Sequence, residues 1–508
     1  MTRGGRARPV VLAFLLVASV QVSLALRAHL GTPRGTVFVG TFFYVDDFYN
    51  YLSYVEQAER GALVFRNKLA SPDLPPALVN LEWLAVGWLS ALLGGAPLLA
   101  YRLAGLAALA ALVALADRSL LRSGLKPPRR VTGLLLVFTG GGLGGLLFAL
   151  GLLPGERALD VRTGAFPFVA ALANPHFVIG TAFLLAALSA YAGGRPWRGA
   201  VLGTVLGLVR PYDAALLAGI EGLAVVVREP WRAWPRRLLP VAALFPVLAY
   251  DSWVLLAGPG FRAFSSPRYA ALSPSALELA IAVGPAALLA LSVLRPEARG
   301  DGEAGAHRLR LALWASLAIG LVATHPVSFS LQFIVGVGLP LLLLGAAGLS
   351  RLPRAALGAA VPLLATTAVV VAGLCARPGP TRLVPAERWR VAEALRRLCR
   401  PGDVVMAPAD IGLYVSGLTP CWPFVSHPAA PEHEARVDAA RRFYGEASPE
   451  ERRHFLDASR AAFVVLPPRL PEGWLDGAPF RPRIELPGLA GGLVVFAREA
   501  APPGLPPP

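Results

Sequence analysis

Apolar stretches of about twenty residues recur from Pro9 almost to Cys375, and this repetition constrains the fold more than any other feature of the chain. Each stretch is long enough to cross about 30 Å of hydrocarbon as a helix. Only 16% of the 508 residues are charged, where soluble domains carry about a quarter. Most of the chain therefore cannot face water. After Cys375 the texture becomes mixed and charged, as in a soluble domain.

The formal charge of +16 does not describe a nucleic-acid binder, because the arginines punctuate the apolar stretches instead of forming a groove or a basic helix. Arg3, Arg6 and Arg8 precede the first stretch, and Arg118, Arg122, Lys126, Arg129 and Arg130 follow the second. Clusters of this kind mark cytoplasmic loops. The spans expected are 9–26, 97–117, 131–152, 168–192, 198–211, 212–228, 237–257, 274–294, 308–324, 327–348 and 354–375. Their cytoplasmic loops hold Arg195 and Arg198, then Arg228, Arg232, Arg236 and Arg237, then Arg295, Arg299, Arg308 and Arg310, and finally Arg351 and Arg354. The opposite loops are poorer in arginine. The expected product is a polytopic α-helical membrane protein of about eleven spans, with a cytoplasmic N-terminus and an exported C-terminal domain. The apolar Val10–Leu26 stretch is read as an uncleaved first span. Residues 198–228 would reach about 46 Å as one helix, with Pro211 in the middle and basic flanks at both ends, so they are read as a hairpin turning at Arg210-Pro211-Tyr212-Asp213.

Three parts are expected: a membrane part, 1–376, with a long first outer loop, 27–96; an α/β domain, 377–499; and a disordered proline-rich tail, 500–508. In the loop, Phe48, Tyr51, Leu52 and Val55 follow helical spacing, so 47–60 reads as an amphipathic helix ended by Gly61. Pro75-Pro76 precedes an apolar stretch, 77–93, read as a helix at the membrane surface. In the last domain, helices are expected at 387–398, 432–443 and 449–458, and strands at 403–406, 462–466 and 493–497. Cys399 and Cys421 can pair if this domain is exported.

Asp46-Asp47 is the sharpest chemical feature. Two adjacent carboxylates stand outside the membrane at the head of the loop helix. One can act as a general base or hold a divalent cation against a phosphate; the plainer reading is a helix cap. Tyr49, Tyr51 and Tyr54 offer rings for a sugar. Arg210, at the hairpin tip, needs an anionic partner, either a lipid phosphate or Asp213. Arg262 and Arg268 are further phosphate candidates. His176, in Asn174-Pro175-His176, can bond a phosphate or sugar, or simply follow a helix start; His325-Pro326 is read the same way. Gly140–Gly145 contains GxGxxG, and Asp160 follows at the dinucleotide spacing, but no strand precedes it. Glycines inside an apolar span serve close helix packing instead.

The order FFYVDDFYNYLSYVEQAERG, then SPDLPPALVNLEWLAVGWLSALLGG, then YRLAGLAALAALVALADR resembles the GT-C superfamily. That group includes protein O-mannosyltransferases, oligosaccharyltransferases and bacterial aminoarabinose transferases. The resemblance runs over roughly the first 230 residues in motif order, and beyond them in architecture. The run DVVMAPADIGLYVSG…SHP…RRFYG also resembles the tail of bacterial members. The resemblance implies transfer of a sugar from a polyprenyl-phosphate carrier, at the outer membrane face, to a glycan, lipid or protein acceptor. It implies an essential acidic residue in the first loop, which maps onto Asp46 or Asp47. No later acidic motif completes a metal site beside them. A transporter or flippase of lipid-linked intermediates would show paired repeats and charges in mid-membrane, which the sequence lacks. A membrane scaffold would have no use for the carboxylate pair.

Overall fold

The computed structural model describes residues 3–123, 125, 129–258, 260–261, 273–291, 302–327, 330–349, 361–376, 383–428, 430, 432–467, 470, 474–476, 478–486 and 493–499, with the backbone alone for 3–7. The expectations for Arg262, Arg268, Arg295, Arg299, Arg351, Arg354 and the tail lie outside the described residues. The first helices are α1 (Arg3–Leu30), α2 (Val45–Glu59), α3 (Leu81–Leu92), α4 (Pro97–Arg122), α5 (Arg130–Thr139) and α6 (Gly144–Ala149). Next come α7 (Leu159–Arg162), α8 (Pro167–Ala173), α9 (Pro175–Ala192), α10 (Pro196–Gly207), α11 (Pro211–Arg228), α12 (Trp234–Ala242) and α13 (Phe245–Ser252). The membrane part ends with α14 (Ala276–Leu291), α15 (Glu303–Thr324), α16 (Gly338–Leu349) and α17 (Val361–Ala376). The last domain holds α18 (Ala386–Leu398), α19 (Ala409–Leu418), α20 (His433–Tyr444) and α21 (Pro449–Ala458).

Among the described residues, five helices are long and apolar enough to cross a membrane: α1 from Arg8, α4, α9, α15, and the stretch Ser330–Leu349 that ends in α16. Trp231–Ala242 and Phe245–Ala257 make a sixth if the pair, bent by 50°, counts as one span. The other expected spans are short or broken. The helix α10 has 12 residues, about 18 Å of rise. The helix breaks at Arg210, between α10 and α11, where the sequence reading expects its turn, but neither of the two is among the helices long and apolar enough to cross; α3 has 12 residues.

The expected span 131–152 is broken at Gly140–Leu143, between α5 and α6. Gly141 N–H donates to Leu363 O (2.6 Å) and Leu143 N–H to Ile281 O (3.1 Å), so α17 and α14 satisfy the unwound backbone. A Cβ on Gly142 would lie 2.0 Å from the carbonyl oxygen of Ala282. Glycine is required there by close approach, and no nucleotide loop is involved. Asp160 closes the same junction by accepting from Thr366 Oγ1 (2.7 Å) and from Gly145 N–H (3.4 Å).

One expectation is corrected by α15, which begins at Glu303. Arg308 and Arg310 therefore sit inside a helix, both buried, and do not lie in a loop. Arg310 forks onto Glu221 of α11 with contacts of 2.8–3.1 Å. This carboxylate is what allows an arginine so deep in the helix bundle.

The loops sort into two groups. Asn67 Nδ2 donates to Gly260 O (2.6 Å), Leu81 N–H to Leu208 O (2.9 Å) and Asn80 Nδ2 to Val209 O (2.9 Å), which joins the loops expected outside. Arg122 meets Glu303 (3.0 Å), Arg308 reaches Ser123 O (3.4 Å) and Arg129 reaches Leu349 O (2.9 Å), which joins those expected inside.

The first loop and the last domain are stitched directly. Strand β1 (Thr36–Phe38), just after α1, pairs antiparallel with β2 (Leu383–Pro385), just after α17. This pairing holds the chain after α1 and the chain after α17 together. The domain's sheet contains β3 (Val404–Met406), β4 (Trp422–Pro423), β5 (Ala461–Leu466), β6 (Phe480–Leu486) and β7 (Leu493–Arg498), in the order β4-β3-β5-β7-β6. The pairs β3–β4 and β3–β5 are parallel, while β7 runs antiparallel to β5 and β6. Cys399 and Cys421 are joined in a disulfide, with Cα atoms 5.6 Å apart. It ties the end of α18 to the approach to β4.

The loop grouping predicts sidedness. In a Cys375→Ala background, single cysteines at Leu63 and Ser448 should react with a membrane-impermeant thiol reagent from the same side, and one at Glu303 from the opposite side. Labelling of Leu63 and Ser448 from different sides would contradict the fold.

Candidate active site

The helix α2 begins at a backbone anomaly. Tyr44, the residue before it, has φ 52° and ψ 51°, and its side chain makes no capping bond. A left-handed conformation is costly for a tyrosine and tends to persist where the surroundings enforce it, often at functional sites. Here Phe48 N–H closes the turn onto Tyr44 O (2.8 Å), and the Tyr44 ring packs edge-on against Phe177 at 5.8 Å. Asp46 and Asp47 thus fall inside the first turn of α2. The capping reading of the pair does not hold, because the cap position belongs to Tyr44. Both carboxylates still stand at the positive end of the helix dipole.

Adjacent residues on a helix point about 100° apart, and the two aspartates face different surroundings. Asp46 opens onto a cleft of ≈ 750 Å³ whose walls include Arg162, Asp410, Tyr414, Ser426 and His433. It is exposed to that opening, yet the walls thin its hydration. Burial is the main force raising its carboxyl above the ordinary 3.8; Asp47 adds to the rise, and His427 and His433 oppose it. Asp47 turns to the last domain, where Nε2–H of His427 donates to its Oδ1 at 3.2 Å.

The tyrosines divide. Tyr49 is fully buried, donates its hydroxyl to Val39 O (2.9 Å) and packs edge-on against Tyr414 at 4.9 Å. Tyr54 is buried beside Phe65, ring to ring 5.7 Å. These two fill the core and offer no face to a sugar, contrary to the sequence expectation. Tyr51 is half-buried and stacks on Trp83 at 4.8 Å. Burial above all, and then Asp47, hold its phenol well above its usual range, so its hydroxyl stays a donor.

His176 is also built into the core. Its Nδ1 lies 2.7 Å from Glu82 Oε2, and its ring stacks on Trp83 at 5.1 Å. Asn174 caps α9 by accepting from His176 N–H (3.3 Å), as the helix-start reading expects. His325 is the left-handed residue that ends α15, and it contacts Ser273 Oγ at 2.9 Å.

Arg210 already has its anion. The guanidinium is 1% exposed, pairs with Asp213 one turn on, and sends Nη2 to Gln332 O (2.7 Å) and Gln332 Oε1 (3.3 Å). Asp213 stands where the sequence reading also weighed a lipid phosphate.

Three residues of the cleft region escaped the sequence reading. Arg162 sits at the end of α7 and lines the same cleft as Asp46, with Nη1 donating to Glu156 O (2.8 Å). His427 and His433 come from the last domain. Their signal was the run SHP…EHE within the last domain, but nothing local linked it to residues 380 positions away. Among the described residues, no three His, Cys, Asp or Glu side chains converge in a way that could hold a metal ion.

No family model and no curated protein matches the sequence. Solved structures are similar in fold. The arabinofuranosyltransferase AftD from Mycobacteria aligns with TM-score 0.55 and 18% identity over 99% of this chain and 40% of that one, so this chain spans well under half of it. ArnT from Cupriavidus metallidurans bound to undecaprenyl phosphate aligns with TM-score 0.54 and 15% identity over 97% of this chain and 99% of that one. ArnT in the apo state aligns with TM-score 0.52 and 16% identity, over 97% and 98%.

The Arg210–Asp213 pair generates a stability prediction. Removing one partner of a buried ion pair strands the other, at a cost of about 3–5 kcal/mol. Asp213→Ala should therefore unfold markedly earlier in a thermal melt of purified protein, and Arg210→Met with Asp213→Leu should recover most of the loss. A double variant no more stable than the single one would contradict a self-contained pair.

Proposed function

From the GT-C fold as premise, we propose that the chain is a membrane glycosyltransferase that moves a sugar from a polyprenyl-phosphate carrier to an acceptor hydroxyl. The observation that carries this reading is Asp46, a carboxylate open to a large cleft that the membrane part and the last domain wall together. Asp46 takes the proton of the acceptor hydroxyl as its oxygen attacks the anomeric carbon. The bond from that carbon to the phosphate oxygen breaks, the configuration inverts, and polyprenyl phosphate leaves. The departing phosphate carries growing negative charge, and Arg162 is the cation on the cleft wall suited to meet it. Tyr51, with its protonated hydroxyl near Asp47, is the remaining aromatic candidate for sugar contact.

Two further points support the donor class. The fold neighbour ArnT binds undecaprenyl phosphate, and the neighbour AftD is named for an arabinofuranosyl group. A pentosyl or hexosyl unit on a polyprenyl phosphate fits a cleft of this volume. The acceptor class is a glycan, a lipid or a protein. The arginine-rich loops favour the cytoplasm, so the cleft faces outward from a bacterial inner membrane, where lipid-linked donors and the envelope meet.

Asp46→Asn should lower transfer of labelled sugar from polyprenyl-phosphate donors by about a hundredfold or more, because an amide accepts no proton. The base works deprotonated, so the wild-type rate should fall as pH drops through a value above the ordinary 3.8. An Asp46→Asn protein that folds and transfers at the wild-type rate would overturn the assignment.

A further inference from the structure

The two aspartates are not equivalent, and the difference comes from the last domain. Asp46 lines the cleft, whereas Asp47, one residue on, is engaged by His427 across 380 residues of sequence. The His427 side chain is 8% exposed and that of Asp47 is 42% exposed. His427 is outside the cleft lining, although its neighbours Ser426 and Pro428 belong to it. It therefore meets Asp47 at the edge of the cleft and not inside it.

The segment that carries His427 is held on several sides. Trp422 N–H donates to Asp403 O (2.7 Å) and Phe424 N–H to Val405 O (2.9 Å), locking the segment onto β3. A Cβ on Gly412 would lie 1.7 Å from Val425 O, so α19 presses its backbone directly on the segment. Trp422 Nε1–H reaches back to Ala70 O of the first loop (3.2 Å). The disulfide from Cys421 to Cys399 fixes the segment's start, and Ala430 N–H closes a turn onto His427 O (2.9 Å). A histidine on so rigid a mount sets the position of what it bonds. A simple exposed ion pair would add little to stability, so the consequence of this one lies in orientation.

We propose that His427 is a positioning residue of the Asp46 site: it holds Asp47 against the last domain, so that Asp46 alone faces the cleft and α2 keeps its register there. This rests on the reading of Asp46 as the base. Without His427, Asp47 is free to swing toward Asp46, and two carboxylates then compete for one proton and one place.

The test is a double-mutant cycle on the full-length protein in nanodiscs, with labelled polyprenyl-phosphate sugar as donor. His427→Ala should lower kcat by roughly tenfold to a hundredfold, the range expected when a catalytic group is slightly misplaced, with the donor KM changed less than about twofold. His427→Gln, which offers an N–H near the same point, should restore most of the rate. Asp47→Ala should recover most of the rate in the His427→Ala background, because it removes the carboxylate that His427 no longer holds, so the two losses are strongly non-additive. Fully multiplicative losses, wild-type kcat in His427→Ala, or equal damage from Ala and Gln would each overturn the proposal. A second measurement is independent of the reaction. Modification of His427 by diethyl pyrocarbonate, followed by mass spectrometry, should rise severalfold in Asp47→Ala, and an unchanged rate would refute the contact. A wild type that transfers no sugar would count against the function reading, while the labelling result would stand for or against the contact.

Discussion

A single buried ammonium holds the two halves of the site together. Lys68, in the first loop, donates to Glu56 Oε2 (2.8 Å) and to the carbonyl oxygens of Thr419 (2.5 Å) and Ser416 (3.3 Å) at the end of α19. Burial pulls the lysine below its ordinary 10.5, and Glu56 pulls it back. Burial by itself would raise Glu56, but Lys68, with help from Arg60, brings its carboxyl below 4.5. Such a pair is weak evidence of net stability, but removing either member would leave a stranded charge. Its value is in registry: Glu56 belongs to α2, which carries Asp46, and α19 carries Asp410 and Tyr414 of the same cleft. Gly417 reinforces the same seam, since any Cβ there would lie 2.6 Å from Tyr49 O. The cleft keeps its shape because these two helices cannot slide.

Much of this architecture was legible in the sequence because it is written in local period and in charge. The loop helix was expected at 47–60 and is α2, Val45–Glu59; helices and strands expected in the last domain recur as α18, α20, α21, β3, β5 and β7. The sorting of loops into two groups follows from where the arginines stand. Most of what escaped has a physical reason. The strands β2 and β4 have three residues and two, too few for alternation to show. The helix α19 is buried over most of its length, so no polar face marks its period. Arg308 and Arg310 looked like topology signals because a sequence does not reveal that Glu221, 89 residues earlier than Arg310, will lie beside it.

At the site the same rule holds. Asp46 and Asp47 were visible because two adjacent carboxylates after a span are unusual. The tyrosines were misjudged in part because helical spacing puts Tyr51 and Tyr54 near one face, while Tyr49 points into the seam with Tyr414. His427 and His433 could not be assigned without the fold, since the pairing of β1 with β2 is what returns the last domain to the first loop. The active site proposed here is composite: the membrane part supplies carboxylate and cation, and the last domain supplies walls and orientation.

Placement of the carrier phosphate tests that composite site most directly. A cryo-EM structure of the protein with a polyprenyl phosphate bound should show the phosphate inside the cleft, between Asp46 and Arg162, with the prenyl chain leaving along the membrane helices. Phosphate density outside the cleft, with Asp46 facing only solvent, would contradict it.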